Sequence, residues 1–267
     1  MISFVKYQGA GNDFILIDQR RNEWIQAGDK HLVARLCDRR FGIGADGLIL
    51  LRESAEADFE MVYFNSDGGL STFCGNGGRC VAAFAASLGI IGQKTRFRAA
   101  DGIHEAEIRG AGADMRVRLS MRDLRQWGRD GDALTIDTGS PHYVQFVEQV
   151  ADIDVGREGA AVRYAEPYVR FGGINVNFVS ETGPGAIAIR TYERGVEAET
   201  LACGTGVTAA ALAYAIRRDL YGDLRIAVAA RGGDLSVDFW RDASGFSQVW
   251  LEGPAVRVFE GKIPAEE

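Results

Sequence analysis

Two stretches of the chain, FNSDGGLSTFCGNGGRCVAAFAA at residues 64–86 and YERGVEAETLACGTGVTAAALAY at 192–214, share one pattern with little residue identity. Each runs from a strand through a polar loop to Cys-Gly-x-Gly, then into an alanine-rich apolar run that reads as a helix. Their surroundings repeat as well. In the first half ISFVKYQ and FILID read as strands around GAGNDF, and a helix follows near residues 29–39. GLILL and FEMVYFN read as buried strands, Asn76 to Ser87 as a helix ended by Gly89, and TRFRA, IHEAEIRG and MRVRLS as antiparallel strands. In the second half TIDTGSPHYVQFV, GINVNFV and AIAIRTYERG read as strands, CGTGVTAAALAYAIRR as a glycine turn opening a long helix, and RIAVAA, GDLSVDFW and SQVWLEG as strands. A duplication of this kind predicts two similar lobes with a cleft between them, each presenting its Cys-Gly-x-Gly turn, so that two thiols face each other. The pattern breaks around RDLRQWGRDGDAL, which sets the expected lobes at 1–122 and 123–254.

The composition bounds the function. At 267 residues, 46% hydrophobic and 25% charged, the chain can bury a large core, and no apolar run approaches the roughly 20 residues of a membrane span. MISFVKYQGAGNDF lacks the basic and apolar regions of a secretory signal, so a cytoplasmic address is expected. A formal net charge of −7 argues against nucleic acid as a partner, because phosphate contacts need a basic surface.

Four cysteines, Cys37, Cys74, Cys80 and Cys203, have neither disulfide-framework nor zinc spacing, so no metal is expected. Cys37 and Cys80 sit among apolar residues at helical spacing and read as core. Cys74 and Cys203 each stand just before a helix, where backbone N–H groups lack intrahelical partners and the macrodipole is positive. Such a position can lower a thiol pKa from about 8.5 toward neutrality. The glycines at 75, 77, 78, 204 and 206 are expected to bare those amides to an anion. A single such turn is also what a capping turn with a buried thiol looks like. A matched pair suits proton removal from one face of an α-carbon and delivery to the other, which inverts a stereocentre.

Through KYQGAGNDFILID, RRFGIGADGLIL, FNSDGG, FCGNGGRC, TGSPHYV, INVNFV, RTYERGVEAETLACGTG and VWLEGPAVRVFEG the chain resembles the diaminopimelate epimerase family over nearly all its length. The resemblance implies an α/β fold of the α+β type: two pseudo-symmetric lobes, each a curved, mostly antiparallel sheet around a central helix, with strand 255–267 returning to the first. It implies epimerisation of L,L-diaminopimelate to the meso form, for lysine and cell-wall precursors, by two cysteines with neither pyridoxal phosphate nor metal, in a homodimer. Cys74 and Cys203 match the catalytic bases, and His142 and Glu193 their polar partners. Gly75, Asn76, Gly204 and Thr205 match the loops that hold the reacting carboxylate. Asn12, Asn65, Asn175 and Arg194 match residues that bind the substrate, mainly at its distal end. From the residues alone Arg194 beside Glu193 could be a surface pair, the asparagines turn formers, and His142 a satisfied core imidazole.

Two positions depart from the family. Ser140 stands in GSPH where many members have asparagine, and Gly47 follows the aspartate of GIGAD where some have glutamine. Both bear on substrate identity more than on reaction type. The alternatives are a related two-thiol racemase acting on proline, hydroxyproline or another single-headed amino acid, and a non-catalytic anion-binding or redox module.

Overall fold

A computed structural model describes residues 1–71, 73–110 and 112–264, with Ala113 described in its backbone only. The last three residues of the expected returning strand lie outside the described residues. The chain divides into two compact units, one comprising 1–119 with the segment from Gly253 onward, the other Ser120–Glu252. Both are mixed α/β and mostly strand.

The first unit contains β1 (Ile2–Gly9), β2 (Asn12–Asp18), α1 (Lys30–Cys37), β3 (Gly47–Arg52), β4 (Phe59–Asn65), α2 (Gly75–Ser87), β5 (Lys94–Ala99), β6 (Gly102–Arg109) and β7 (Arg116–Ser120). The second contains β8 (Gly128–Asp130), β9 (Ala133–Asp137), β10 (Pro141–Phe146), α3 (Val155–Arg163), β11 (Asn175–Gly183), β12 (Ala186–Glu193), β13 (Ala198–Thr200), α4 (Gly204–Arg217), β14 (Gly222–Ala230), β15 (Gly233–Asp242) and β16 (Gly245–Pro254). The chain then adds β17 (Val256–Ile263) to the first unit, antiparallel to β1.

The pairings of the first unit run β17-β1-β2-β3-β4-β5-β6-β7, with β2–β3 and β4–β5 parallel and the rest antiparallel. Those of the second run β8-β9-β10-β11-β12-β14-β15-β16, with β10–β11 and β12–β14 parallel and the rest antiparallel. The two sequences of parallel and antiparallel steps are identical, and the helices fall at matching places. The duplication is therefore one of topology, with one permutation: the edge position held by β8 just before β9 is held in the first unit by β17, from the far side of the second.

Burial explains the helices. Every residue from Gly75 to Ala85 in α2 is buried, as are all but Thr205 from Gly204 to Ile216 in α4. A helix apolar on all sides must be enclosed, and α2 touches β1, β2, β3, β4 and β6 while α4 touches β9, β10, β11, β12, β14 and β15. A single helix reaches so many strands because each sheet curls around it. The opposite face of the sheet is covered by α1 in one unit and α3 in the other. Central strands such as β2 and β3 are thus buried on both faces, which is why FILI and GLILL read as unbroken apolar runs.

The structure corrects one expectation. TIDTGSPHYVQFV is two antiparallel strands, β9 and β10, reversed at Thr138–Ser140 with Gly139 at φ +111°. Three glycines of the helix starts also meet packing limits: a Cβ at Gly78 would lie 2.8 Å from the Phe73 ring, one at Gly77 would lie 3.0 Å from Ile49, and one at Gly206 would lie 2.5 Å from Asn177 Oδ1. Helix α3 went unread in the sequence.

Candidate active site

Cys74 is the N-cap of α2 and Cys203 the N-cap of α4, with nearly the same backbone (φ −123°, ψ 118° and φ −112°, ψ 113°). In each case the cysteine carbonyl accepts the first intrahelical bond, from Gly78 N at 2.7 Å and Val207 N at 2.8 Å. Neither side chain caps its helix, so each thiol is left to its neighbours.

In the first unit one neighbour is Asn12. It starts β2 directly after the two-residue hairpin Ala10–Gly11, both at positive φ, as a type I′ turn requires. Its Oδ1 lies 3.6 Å from Cys74 Sγ and 3.4 Å from Asn76 Nδ2. Its Nδ2 donates to Asp46 Oδ2 at 2.6 Å. Behind it stands an ionic cluster: Arg39 donates to both Asp46 and Asp13, and Lys6 pairs with Asp13 at 2.8 Å and donates to the Gly44 carbonyl. Burial alone would raise the Asp13 pKa, but Arg39 and Lys6 outweigh it and hold that carboxyl well below the usual range. Two acids and two bases leave the cluster neutral.

Asn76 Oδ1 accepts from Arg79 at 2.9 Å. Arg79 is fully buried, also donates to the Pro254 and Gly75 carbonyls, and forms no ion pair with a described carboxylate. Asn65, exposed at the end of β4, stands opposite Gly47 across the β3–β4 ladder. The Tyr63 ring occupies the space beside that glycine, since a Cβ at 47 would lie 2.6 Å from it and 2.5 Å from the Phe64 carbonyl oxygen.

In the second unit Cys203 Sγ lies 3.5 Å from Thr205 Oγ1, which is 2.9 Å from His142 Nε2. His142 Nδ1 meets Asn177 Nδ2 at 3.1 Å. The same Asn177 nitrogen donates to the Tyr143 carbonyl at 3.1 Å, and its Oδ1 accepts from Thr191 at 3.0 Å. Burial, then the charge of Arg194, pushes the His142 pKa down to about 3, so the ring is neutral. A second cluster joins Ser140, Asn175 and Arg194: Ser140 Oγ accepts from Asn175 Nδ2 at 2.9 Å and Arg194 Nη2 at 3.3 Å, while Asn175 Oδ1 accepts from the Arg194 backbone at 2.9 Å. Arg194 forms no ion pair with Glu193 or any other described acid; Glu193 accepts from Thr200 at 2.9 Å.

Asn175 and Asn177 share a face of β11 because side chains alternate along a strand, while Val176 and Phe178 pack on the α3 side. Asn177, Asp46 and Arg79 were not among the sequence candidates. Two polar residues at i and i+2 in an otherwise apolar strand were the available signal for Asn177.

A family model described as diaminopimelate epimerase matches residues 4–123 and 134–258. The chain belongs to the diaminopimelate epimerase family. It is 48% identical over 258 residues to the diaminopimelate epimerase of Flavobacterium psychrophilum, covering 97% of this chain and 98% of that one. It is 38% identical over 281 residues to that of Aquifex aeolicus, covering 99% of each. Among solved structures the fold is similar to a Bacillus anthracis phenazine biosynthesis protein of the PhzF family, with TM-score 0.78, 14% identity, and 98% of this chain and 99% of that chain covered. It is also similar to a hydroxyproline epimerase from Agrobacterium vitis, with TM-score 0.67, 12% identity, and 98% and 90% covered. These two structural neighbours thus share the fold with this chain under different names.

A concavity of about 600 Å³ lies in the first unit, lined by Lys6, Gln8, Asp13, Arg39, Val258 and Phe259 among others, and none of the site residues expected from the sequence is among those lining it. Its charged wall is the back of the cluster that holds Asn12. Among the described residues no group of three or more His, Cys, Asp or Glu is placed to hold a metal ion, and no helix is long and apolar enough to cross a membrane.

Proposed function

We propose that the chain interconverts L,L- and meso-2,6-diaminopimelate with Cys74 and Cys203 as its two bases, in the cytoplasm and as a homodimer, supplying lysine and cell-wall precursors. The observation that carries the chemistry is the repeated placement of a thiol at the N-cap of a buried helix, once in each unit. One cysteine as thiolate removes the α-proton and the other as thiol delivers a proton to the opposite face. The carbanion formed between these steps spreads its charge into the α-carboxylate. The first-turn amides at Gly75, Asn76, Gly204 and Thr205 are suited to stabilise that charge, where helix dipoles favour an anion.

The distal head of the substrate carries a second carboxylate and ammonium. Arg194 offers a guanidinium that no described acid neutralises, and Asn12, Asn65, Ser140 and Asn175 offer donors and acceptors to a zwitterion. A single-headed amino acid would leave that charge unanswered, which favours diaminopimelate over proline or hydroxyproline. His142, with both ring nitrogens engaged, serves as a neutral positioning group, and Glu193 as a polar neighbour.

The test is α-proton exchange in heavy water, across a panel of amino acids, starting from single pure epimers. Product should carry deuterium at the inverted carbon from the first turnovers while recovered substrate lags. Substantial retention of substrate hydrogen in early product would point to one base that moves. Exchange with proline but not diaminopimelate would overturn the substrate assignment.

A further inference from the structure

We propose that Glu197 is a positioning residue for substrate recognition: anchored to the end of α3, its carboxylate grips the turn that carries Arg194 and holds that guanidinium ready for the distal carboxylate of the substrate. This deepens the reading above and rests on its placement of Arg194 at the distal head.

Strands β12 and β13 form a hairpin whose turn is residues 194–197, closed at its base by a bond from Glu197 N to the Glu193 carbonyl at 2.8 Å. Residues 195–197 are exposed. A guanidinium on such a turn swings with it unless the turn is held, and a swinging fork loses the alignment that two-point recognition of a carboxylate requires.

The hold falls on both sides of Arg194. Its own N–H donates to Asn175 Oδ1 at 2.9 Å, and the next N–H along the chain, that of Gly195, donates to Glu197 Oε1 at 3.0 Å. Both peptide planes flanking the Arg194 Cα are therefore fixed by side chains.

The Glu197 carboxylate is itself anchored outside the turn. Oε1 also accepts from Arg163 Nη2 at 2.9 Å and Oε2 from the Tyr164 hydroxyl at 2.9 Å, from the last residue of α3 and its C-cap. A lone exposed ion pair would hold little. Here three donors converge on one carboxylate, and the Arg163 side chain is only 11% exposed. Burial would raise the Glu197 pKa, but the Gly195 amide, Tyr164 and Arg163 outweigh it and keep the group below its ordinary range, so the anchor is charged at neutral pH.

Arg163 braces a second contact of Arg194. A Cβ at Gly173 would lie 1.5 Å from Arg163 Nη1, and the Gly173 carbonyl accepts from Arg194 Nη1 at 3.4 Å. The end of α3 thus supports Arg194 at its backbone through Glu197 and at its side chain through Gly173.

Glu197 has φ +58°, a conformation that glycine takes more readily than any L residue. Glu197→Gly therefore relieves the backbone while deleting the carboxylate, which separates the grip on Arg194 from any backbone role of the position.

The experiment is steady-state epimerisation of diaminopimelate. Glu197→Gly should raise KM about three- to tenfold, the scale of one lost hydrogen bond, with kcat within about twofold. Glu197→Gln, whose amide oxygen can still accept from Gly195, should recover most of the loss. Arg194→Lys replaces the planar fork by a point charge on a flexible stem that needs no such alignment, and in that background Glu197→Gly should add less than about twofold. An unmoved KM in Glu197→Gly, or the full loss repeated in the Arg194→Lys background, overturns the proposal. If Glu197→Gly fails to fold, Tyr164→Phe decides: it removes one donor from the carboxylate and should raise KM about twofold, and an unmoved KM there overturns the proposal equally. A wild type that turns over diaminopimelate while Glu197→Gly matches it defeats this inference alone, whereas a wild type inert toward diaminopimelate defeats the epimerase reading and this inference with it.

Discussion

His142 makes the stability of the second unit depend on pH in a range where little else titrates. Its imidazole is fully buried, with Nδ1 receiving a donor from Asn177 and Nε2 against Thr205, and burial followed by the charge of Arg194 lowers its pKa from 6.5 to about 3. In the unfolded chain the same ring takes a proton at its ordinary value. Between these two values the unfolded state binds more protons than the folded one, so stability is complete above about pH 6.5 and falls as pH drops. Each unit of pH below that point costs up to about 1.4 kcal/mol, so at about pH 5 the loss is about 2 kcal/mol, a large share of the margin of an ordinary domain. Urea unfolding followed by tryptophan fluorescence reads this, because Trp127, Trp240 and Trp250 all lie in the second unit. The decisive quantity is the difference in unfolding free energy between about pH 7 and pH 5, compared between wild type and His142→Asn. The variant keeps His31 and His104, and its own constant destabilisation cancels in the difference. Equal pH dependence in the two proteins would refute the claim that the buried ring stays neutral.

Three further outcomes follow from distances in the site. Gly206→Ala places a methyl 2.5 Å from Asn177 Oδ1 and 3.3 Å from His142, and should lower stability by about 1–3 kcal/mol through overpacking, readable in thermal unfolding; an unchanged midpoint would mean the amide moves freely. Ser140→Asn should change the KM for diaminopimelate more than kcat, because its partners Asn175 and Arg194 lie in the proposed distal cluster and remote binding is largely uniform between ground and transition states; an unchanged KM would remove Ser140 from the substrate. Asp46→Ala releases the Asn12 amide from its one carboxylate acceptor and should lower kcat by about tenfold or more, the scale of a lost charge-assisted hydrogen bond, with kcat at wild-type level showing that Asn12 needs no such anchor.

The parts of the fold written locally were legible in the sequence. Alanine runs behind Cys74 and Cys203 announced helices that nothing else could enclose, and FILI and GLILL announced strands covered on both faces. Helix α3 escaped because VGREGAAVR buries only Val155 and Gly159, too thin a stripe to show a period. Its glycine at 159 is a packing requirement, since a Cβ there would lie 2.4 Å from Tyr192. Its start was nevertheless marked by Asp154, whose side chain accepts from Arg157 N at 3.1 Å. The motif residues around each thiol could be named from pattern and resemblance. Asp46, Arg79 and Asn177 could not, because they matter through the side chains they hold, Asn12, Asn76 and His142, and the fold brings such partners together from up to 35 residues away in the chain.

The permuted edge strand has a consequence for how the protein is made. Residues 256–263 are synthesised after the whole of the second unit, yet they cover β1, whose residues from Ile2 to Gln8 pair with them. The second unit meets no such delay, since β8 precedes β9 on the ribosome. A nascent chain must therefore carry seven-eighths of a sheet with an open main-chain edge while its sister half is already able to close. Open edges recruit other strands, so trimming the segment after Pro254 should leave soluble, foldable material only from the second half. The half that is written second is the half that can be finished first.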